Sequence, residues 1–238
     1  MAAGLGSRMR PLTEHTPKPL IKVHGKPMIE TVIEGLLGRP VEEIYIVTGY
    51  LGEQFAYLEQ AYPGLKLLKN PYYKMCNNIS SLYVARMYLE DVMILDGDQM
   101  IHNPDILFRE FDRSGYHAVY TETGTDEWLL RTENGIVTGC SRNGGNKGWQ
   151  LYSISRWTKE DGQRLAGHLE LEFEQYKNRQ IYWDDVALFC YPSSYRLRIF
   201  ETAPGDVVEI DGLMELAEAD PAYSGYLQEG YGNGQYQK

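Results

Sequence analysis

Two apolar runs that end in polar turns, "EEIYIVTGY" at 42–50 and "DVMILDGD" at 91–98, restrict what this chain can fold into. Their apolar residues are nearly continuous rather than alternating, as strands buried on both faces require. Between and around them lie helical patterns: 18–38 turns at Gly25 and then reads as a helix from near Pro27 to Gly38, with Met28, Val32 and Leu36 on one face. "GEQFAYLEQAY" and "ISSLYVARMYL" read as further helices, the second with an N-cap region supplied by Asn77 and Asn78, and "LKLLKN" as another strand. Strand alternating with helix predicts an α/β fold with a Rossmann-like, mostly parallel central sheet, whose site lies at the carboxyl ends of the strands.

From about residue 116 the rhythm changes. "YHAVYTE", "EWLLRTE", "GIVTGCSR" and "WQLYSISRW", separated by Gly and Asn turns, predict a smaller antiparallel extension over about 116–185 that carries an acceptor pocket. A helix over roughly 158–176, a strand at "SYRLRIFE" and a helix at "LMELAEAD" complete a domain spanning 1–218. Residues 219–238, biased to Gly, Tyr and Gln, read as a flexible tail.

The net charge of −10 opposes a nucleic-acid groove but tolerates a nucleotide, which needs only a few local cations. Cys76, Cys140 and Cys190 have no CxxC spacing and fit a reduced, cytoplasmic chain, and no apolar run reaches the length of a membrane span. The five histidines, 15, 24, 102, 117 and 168, lack metal-ligand spacing.

The chain opens on "MAAGLGSRMRPLTEHTPKPL". Gly4 and Gly6 allow the main chain to approach an anion, Arg8 adds a planar fork of donors and Lys18 a point charge, a set suited to a triphosphate. Met9 stands where a dinucleotide fingerprint needs its third glycine, and the P-loop pattern is absent. Asp96 and Asp98, two apart at a strand end, can leave one face together, and oxygen ligands suit Mg²⁺; D-G-D alone is more often a turn than a metal site. "YWDD" offers Asp184 and Asp185, which also fit a solvated helix N-terminus.

The run AAG-LGSR-x-x-PLT-x-x-x-PKPL resembles the signature of the nucleotidyltransferases that make NDP-sugars and CDP-alcohols. With "GYLGEQF", "NNISSLY", "DGDQ", "DEWLL", "SISRW", "IYWDD" and "VVEIDGLMEL", the chain up to about residue 218 is similar to the bacterial CTP:phosphocholine cytidylyltransferases. The resemblance implies that Ala3, Gly4, Leu5, Gly6 and Ser7 wrap the nucleotide, Arg8 holds the β and γ phosphates, and Lys18 stabilises the phosphate under attack. It implies Mg²⁺ on Asp98, supported by Asp96, with Asp184 as the second ligand by its Y-W-D register. Cytosine and ribose are expected at Tyr50, Asn78, Ser80 and Ser81, side chains that serve equally as helix caps.

Phosphocholine is the implied acceptor, and its quaternary ammonium needs π faces and a carboxylate. Trp128, Trp157, Tyr182 and Trp183 are the expected cage, Glu127 the counter-charge, and Trp149 is left to packing. The expected reaction joins CTP and phosphocholine into CDP-choline with release of pyrophosphate. Alternatives are a sugar-1-phosphate nucleotidyltransferase, CTP-dependent transfer to phosphoethanolamine or an aminophosphonate, and a non-catalytic nucleotide sensor.

In the resembling family an apolar strand runs directly into A-A-G, so Met1 is expected to be an internal methionine, with five or so upstream residues completing the central strand. Extending the chain upstream should raise its melting temperature and its CTP affinity; no gain in either contradicts this expectation.

Overall fold

The structure, a computed structural model, describes residues 1–37, 40–108 and 111–230. In chain order the strands are β1 (Lys22–Val23), β2 (Lys26–Pro27), β3 (Ile44–Thr48), β4 (Leu65–Lys69), β5 (Val92–Leu95), β6 (Gln99–Ile101), β7 (Gly115–Thr121), β8 (Leu129–Glu133), β9 (Ile136–Ser141), β10 (Gly148–Trp157), β11 (Arg198–Glu201) and β12 (Val207–Glu209). The helices are α1 (Met28–Leu36), α2 (Ala56–Ala61), α3 (Ile79–Ala85), α4 (Lys159–Glu170), α5 (Trp183–Asp185), α6 (Leu213–Ala219) and α7 (Ser224–Gly230). Helix α1 ends two residues before Gly38, which lies outside the described residues.

The α/β expectation holds, but the central sheet is mixed. β3 and β4 pair in parallel, Ala2 bridges in parallel to Thr48, and Met1 bonds to Leu95 and Gly97 on its other side. Residues 1–2 thus lie between β3 and β5. Beyond β5 the order runs β10, β7, β11, β9, β8, antiparallel except for β7 with β11. The expected antiparallel extension is therefore continuous with the main sheet. Strand β10 makes the join: Ile154–Trp157 pair with β5, and across an irregularity Trp149 and Gln150 pair with β8. Bulges of this kind bend a strand, so the β8–β9 hairpin curls over one end of the sheet.

Helix α1 and helix α2 cover one face, where Ile29, Ile33, Ile46, Phe55 and Leu58 meet Ala2. On the other, α3 and α4 bury Leu82, Leu165 and Leu169 against Ile94, Tyr116 and Trp157. Helix α4 starts where Thr158 accepts the Asp161 N–H through its hydroxyl, as its N-cap position predicts. Asn78 takes the N-cap position of α3 without a side-chain cap bond; its Oδ1 accepts the Trp183 N–H at 2.9 Å instead. Residues 221–230, expected to be flexible, form a helical turn and α7, tied to β1 by the Tyr223 hydroxyl, which donates to the Lys22 carbonyl at 2.7 Å. The rest of the expected tail, 231–238, lies outside the described residues.

The closest approach in the α4 layer is at Gly162, where a Cβ would stand 1.6 Å from the Leu89 carbonyl oxygen. Gly162→Ala should cost about 1–3 kcal/mol, read as a drop in melting temperature of about 2–4 °C per kcal/mol for a chain of this size. An unchanged melting temperature would contradict this packing.

Candidate active site

The opening loop leaves the sheet at Ala3 and turns at Gly6, whose φ of 62° is left-handed. A side chain there would also meet Thr13 Cγ2 at 2.9 Å, so glycine is required on both counts. Thr13 fastens the turn, its hydroxyl donating to the Gly6 carbonyl at 2.8 Å. Pro17 and Pro19 flank Lys18 in a helical turn that carries the lysine under the loop.

Lys18 is the centre of the charge arrangement. Its ammonium donates to Asp98 Oδ2 at 2.6 Å and to Asp211 Oδ1 at 2.7 Å, and Arg8 Nη2 lies 2.9 Å from the same Asp211 oxygen. Burial alone would lower the Lys18 pKa, but Asp98 and Asp211 outweigh it and hold it above the ordinary lysine value. Burial opposes the charge on Asp211 too, and Lys18 and Arg8 outweigh it to depress that carboxyl. Lys18 is almost enclosed, whereas the Arg8 side chain is 70% exposed and free to follow a ligand.

Asp211 was not singled out from the sequence. It reaches Lys18 because β12 pairs antiparallel with β6, placing Glu209 opposite Gln99 and the Ile210 N–H 3.3 Å from the Asp98 carbonyl. The available signal was the acid-x-acid spacing of Glu209 and Asp211, which repeats that of Asp96 and Asp98.

A cleft of about 170 Å³ opens beside this cluster, lined by Ala3, Gly4, Gly6, Lys18, Asn78, Ser81, Asp96 and Asp98 among others. It unites most of the expected nucleotide residues. Leu5 and Ser7 face solvent outside its lining, and Tyr50 sits beside the loop, its N–H donating to the Ala3 carbonyl at 3.2 Å. Ser80 is buried, its hydroxyl donating to the Asn77 carbonyl and accepting from Asn70. Asn70, fully enclosed and also unmarked by the sequence reading, donates to the hydroxyls of both Ser80 and Ser81 and so fixes this wall.

Asp184 stands apart from Lys18. It is buried beside Tyr116 and within electrostatic reach of Asp96, and its Oδ1 has no hydrogen-bond partner. Burial, then the Asp96 charge, raises its pKa well above the usual carboxylate range. Burial also lifts Asp96 to about 7 and Glu209 to about 8. The solvated helix N-terminus that "YWDD" also fitted is thus excluded by the burial of both its acids.

Two of the four expected cage rings cannot serve. Trp157 and Trp183 have no exposed surface; they pack on each other, on Tyr116 and on Tyr195, with the Trp157 indole N–H donating to Ser155. Each is core because its element turns it inward beneath the sheet. Trp128 and Tyr182 remain accessible and meet edge to face at 5.6 Å. Glu127 joins them to the charged cluster: burial, then Asp211, raises its pKa, while Arg8 pulls the other way.

The carboxylates of Asp98 and Asp211 supply hard oxygen donors next to a phosphate-sized cleft, a set that fits Mg²⁺ completed by substrate phosphates. Among the described residues no group of three or more His, Cys, Asp or Glu side chains forms a fuller cage. Nor is any described helix long and apolar enough to cross a membrane.

Residues 1–170 match the family model of the MobA-like NTP transferase domain. A 2-aminoethylphosphonate cytidylyltransferase from Lancefieldella rimae is 37% identical over 94% of this chain and 91% of its own. A choline-phosphate cytidylyltransferase from Haemophilus influenzae is 32% identical over 90% of this chain and 91% of its own. The solved CTP:phosphocholine cytidylyltransferase of Streptococcus pneumoniae superposes with a TM-score of 0.86 at 31% identity, covering 93% of this chain and 96% of that one. With the glycine loop, its lysine and the mixed α/β sheet in place, the chain belongs to the MobA-like family of nucleotidyltransferases.

Proposed function

We propose that this protein transfers the cytidylyl group of CTP to a small phosphate or phosphonate that carries a cationic amine, releasing pyrophosphate. The observation that carries this reading is Lys18, clamped between Asp98 and Asp211 beneath the glycine loop, with Trp128, Tyr182 and Glu127 on the acceptor side. An acceptor oxygen attacks the α-phosphorus in line; the new P–O bond forms as the bond to the β-phosphate oxygen breaks, and pyrophosphate leaves with that electron pair. No protein nucleophile is needed. Loop amides around Gly4 and Gly6 seat the phosphates, Lys18 faces the charge that builds on the α-phosphate, and Arg8 leaves Asp211 for the departing pyrophosphate. Mg²⁺ held by Asp98 and Asp211 would neutralise phosphate charge and orient the triphosphate.

For the base, Asn78 spends its Oδ1 on Trp183, which leaves its NH₂ to donate. Cytosine, with acceptors at O2 and N3, is complementary to such a donor.

For the acceptor, only half of the expected four-ring cage is accessible, while Glu127, next to Trp128 in the chain, supplies a carboxylate. A primary ammonium, which donates hydrogen bonds, suits that balance better than a quaternary one, so an aminophosphonate such as 2-aminoethylphosphonate is the preferred reading. The 2-aminoethylphosphonate relative points the same way. The edge-to-face pair of Trp128 and Tyr182 favours phosphocholine as the second reading.

A pyrophosphate-release assay should show turnover with CTP and an amine-bearing acceptor, higher kcat/KM for 2-aminoethylphosphonate than for phosphocholine, and little for glucose 1-phosphate. Preferential use of the sugar phosphate would contradict the acceptor class. Asp98→Ala and Asp211→Ala should each lower kcat by about 100-fold or more; wild-type rates in both would remove these carboxylates from the chemistry.

Asp96 and Glu209 have pKa values of about 7 and about 8, raised by folding, so they favour the folded state at low pH and lose that advantage as pH climbs through those values. Lys18, raised, and Asp211, depressed, keep their pairing throughout that window. Metal-free protein should therefore lose melting temperature between about pH 4 and pH 8. A melting temperature unchanged across that range would contradict the burial of these two acids.

A further inference from the structure

Trp128 and Tyr182 come from distant parts of the chain, one just before β8 and the other capping α5, and one side chain holds both. Arg142 leaves the turn after β9. Its Nε–H donates to Asp185 Oδ1 at 3.0 Å and its Nη2–H to the same oxygen at 2.5 Å. The other Asp185 oxygen accepts the Tyr182 N–H at 2.9 Å, and the Asp185 N–H donates to the Tyr182 carbonyl at 3.1 Å. The guanidinium carbon lies 3.9 Å from the Phe189 ring centre and 5.6 Å from that of Trp128. Trp128 in turn stands edge to face with Phe189 at 5.8 Å and with Tyr182 at 5.6 Å.

We infer that Arg142 is a positioning residue for the amine end of the acceptor, one guanidinium fixing the Trp128 wall through cation–π contacts with Trp128 and Phe189 and the Tyr182 wall through Asp185. The inference rests on the acceptor reading above. Arginine suits this place because its broad, weakly hydrated guanidinium can touch two mutually perpendicular rings while two of its N–H groups converge on one carboxylate oxygen, which a compact ammonium cannot do. Charge bookkeeping is equally specific. Asp185 is only 4% exposed, so without Arg142 it is an unpaired buried carboxylate, and with Arg142 the pair presents little net charge to an incoming cation. The pocket therefore keeps two rings in register without a bare positive charge that would repel the substrate amine.

The test measures KM for CTP and for the amine acceptor separately, with kcat and melting temperature, in wild type, Trp128→Ala, Arg142→Gln and Arg142→Lys. Trp128→Ala should raise the acceptor KM by about tenfold or more, and Arg142→Gln similarly, with the CTP KM within about twofold in both. Arg142→Lys, which keeps a cation for Asp185 but loses the broad ring contacts, should fall between wild type and Arg142→Gln, and it carries the test should Arg142→Gln fail to fold. An acceptor KM unchanged in Arg142→Lys and Arg142→Gln while Trp128→Ala raises it overturns the role of Arg142 alone. An acceptor KM unchanged in Trp128→Ala overturns the pocket and the inference with it. Equal losses for both substrates in the Arg142 variants, tracking a fall in melting temperature, would make Arg142 structural and overturn the inference.

Discussion

The ammonium of Lys18 holds three remote parts of the chain at one point. The opening loop brings the lysine, the end of β5 brings Asp98, and the strand pair β6–β12 brings Asp211. Without that cation two carboxylates would face each other across a narrow gap. Losing one partner of a buried ion pair costs about 3–5 kcal/mol, and the figure here is smaller because Asp98 and Asp211 are 29% and 37% exposed and water screens them. The same balance is useful chemically. A cation held between two anions stays charged at any physiological pH and is aimed at the cleft before substrate arrives, so little reorganisation is left for the reaction itself.

Around this point the fold divides the labour. The parallel side of the sheet, with residues 1–2 between β3 and β5, presents the glycine loop and the wall of Asn78 and Ser81. On the antiparallel side, β10 bends so that the β8–β9 hairpin brings Glu127, Trp128 and Arg142 towards α5. The two sides meet where the β5 and β12 acids end, and there the donor and acceptor halves of a group-transfer site can face one another. Burial raises two of those acids, Asp96 and Glu209, and so favours their neutral forms beside the charged Lys18 cluster.

Much of this was legible in the sequence because it depends on short-range pattern. Apolar runs and helical periodicity located β3, β5, α1, α3 and α4, the glycines with Arg8 and Lys18 marked an anion loop, and the role of Asp98 came from the family resemblance. Asp211 could not, since its meeting with Lys18 depends on the pairing of β6 with β12 rather than on anything local. Trp157 and Trp183 were misread because a motif position says nothing about which way its side chain faces; both turned out to be sealed in the core. Residues 221–230 looked disordered by composition, yet Asp220 and Tyr223 tie that segment to His24 and Lys22, and tertiary contacts override a weak local signal.

The central claim is that Lys18 faces the reacting phosphorus while the acceptor amine lies on the Trp128 and Tyr182 side. A crystal structure of the protein with the product, CMP joined through its phosphate to the phosphonate oxygen of 2-aminoethylphosphonate, tests this most directly. The cytidylyl phosphate should lie within hydrogen-bond reach of Lys18 Nζ, with the amine between Trp128 and Tyr182. A product whose phosphate sits away from Lys18, for example in the separate cleft lined by Arg113, Trp149 and Arg198, would contradict it.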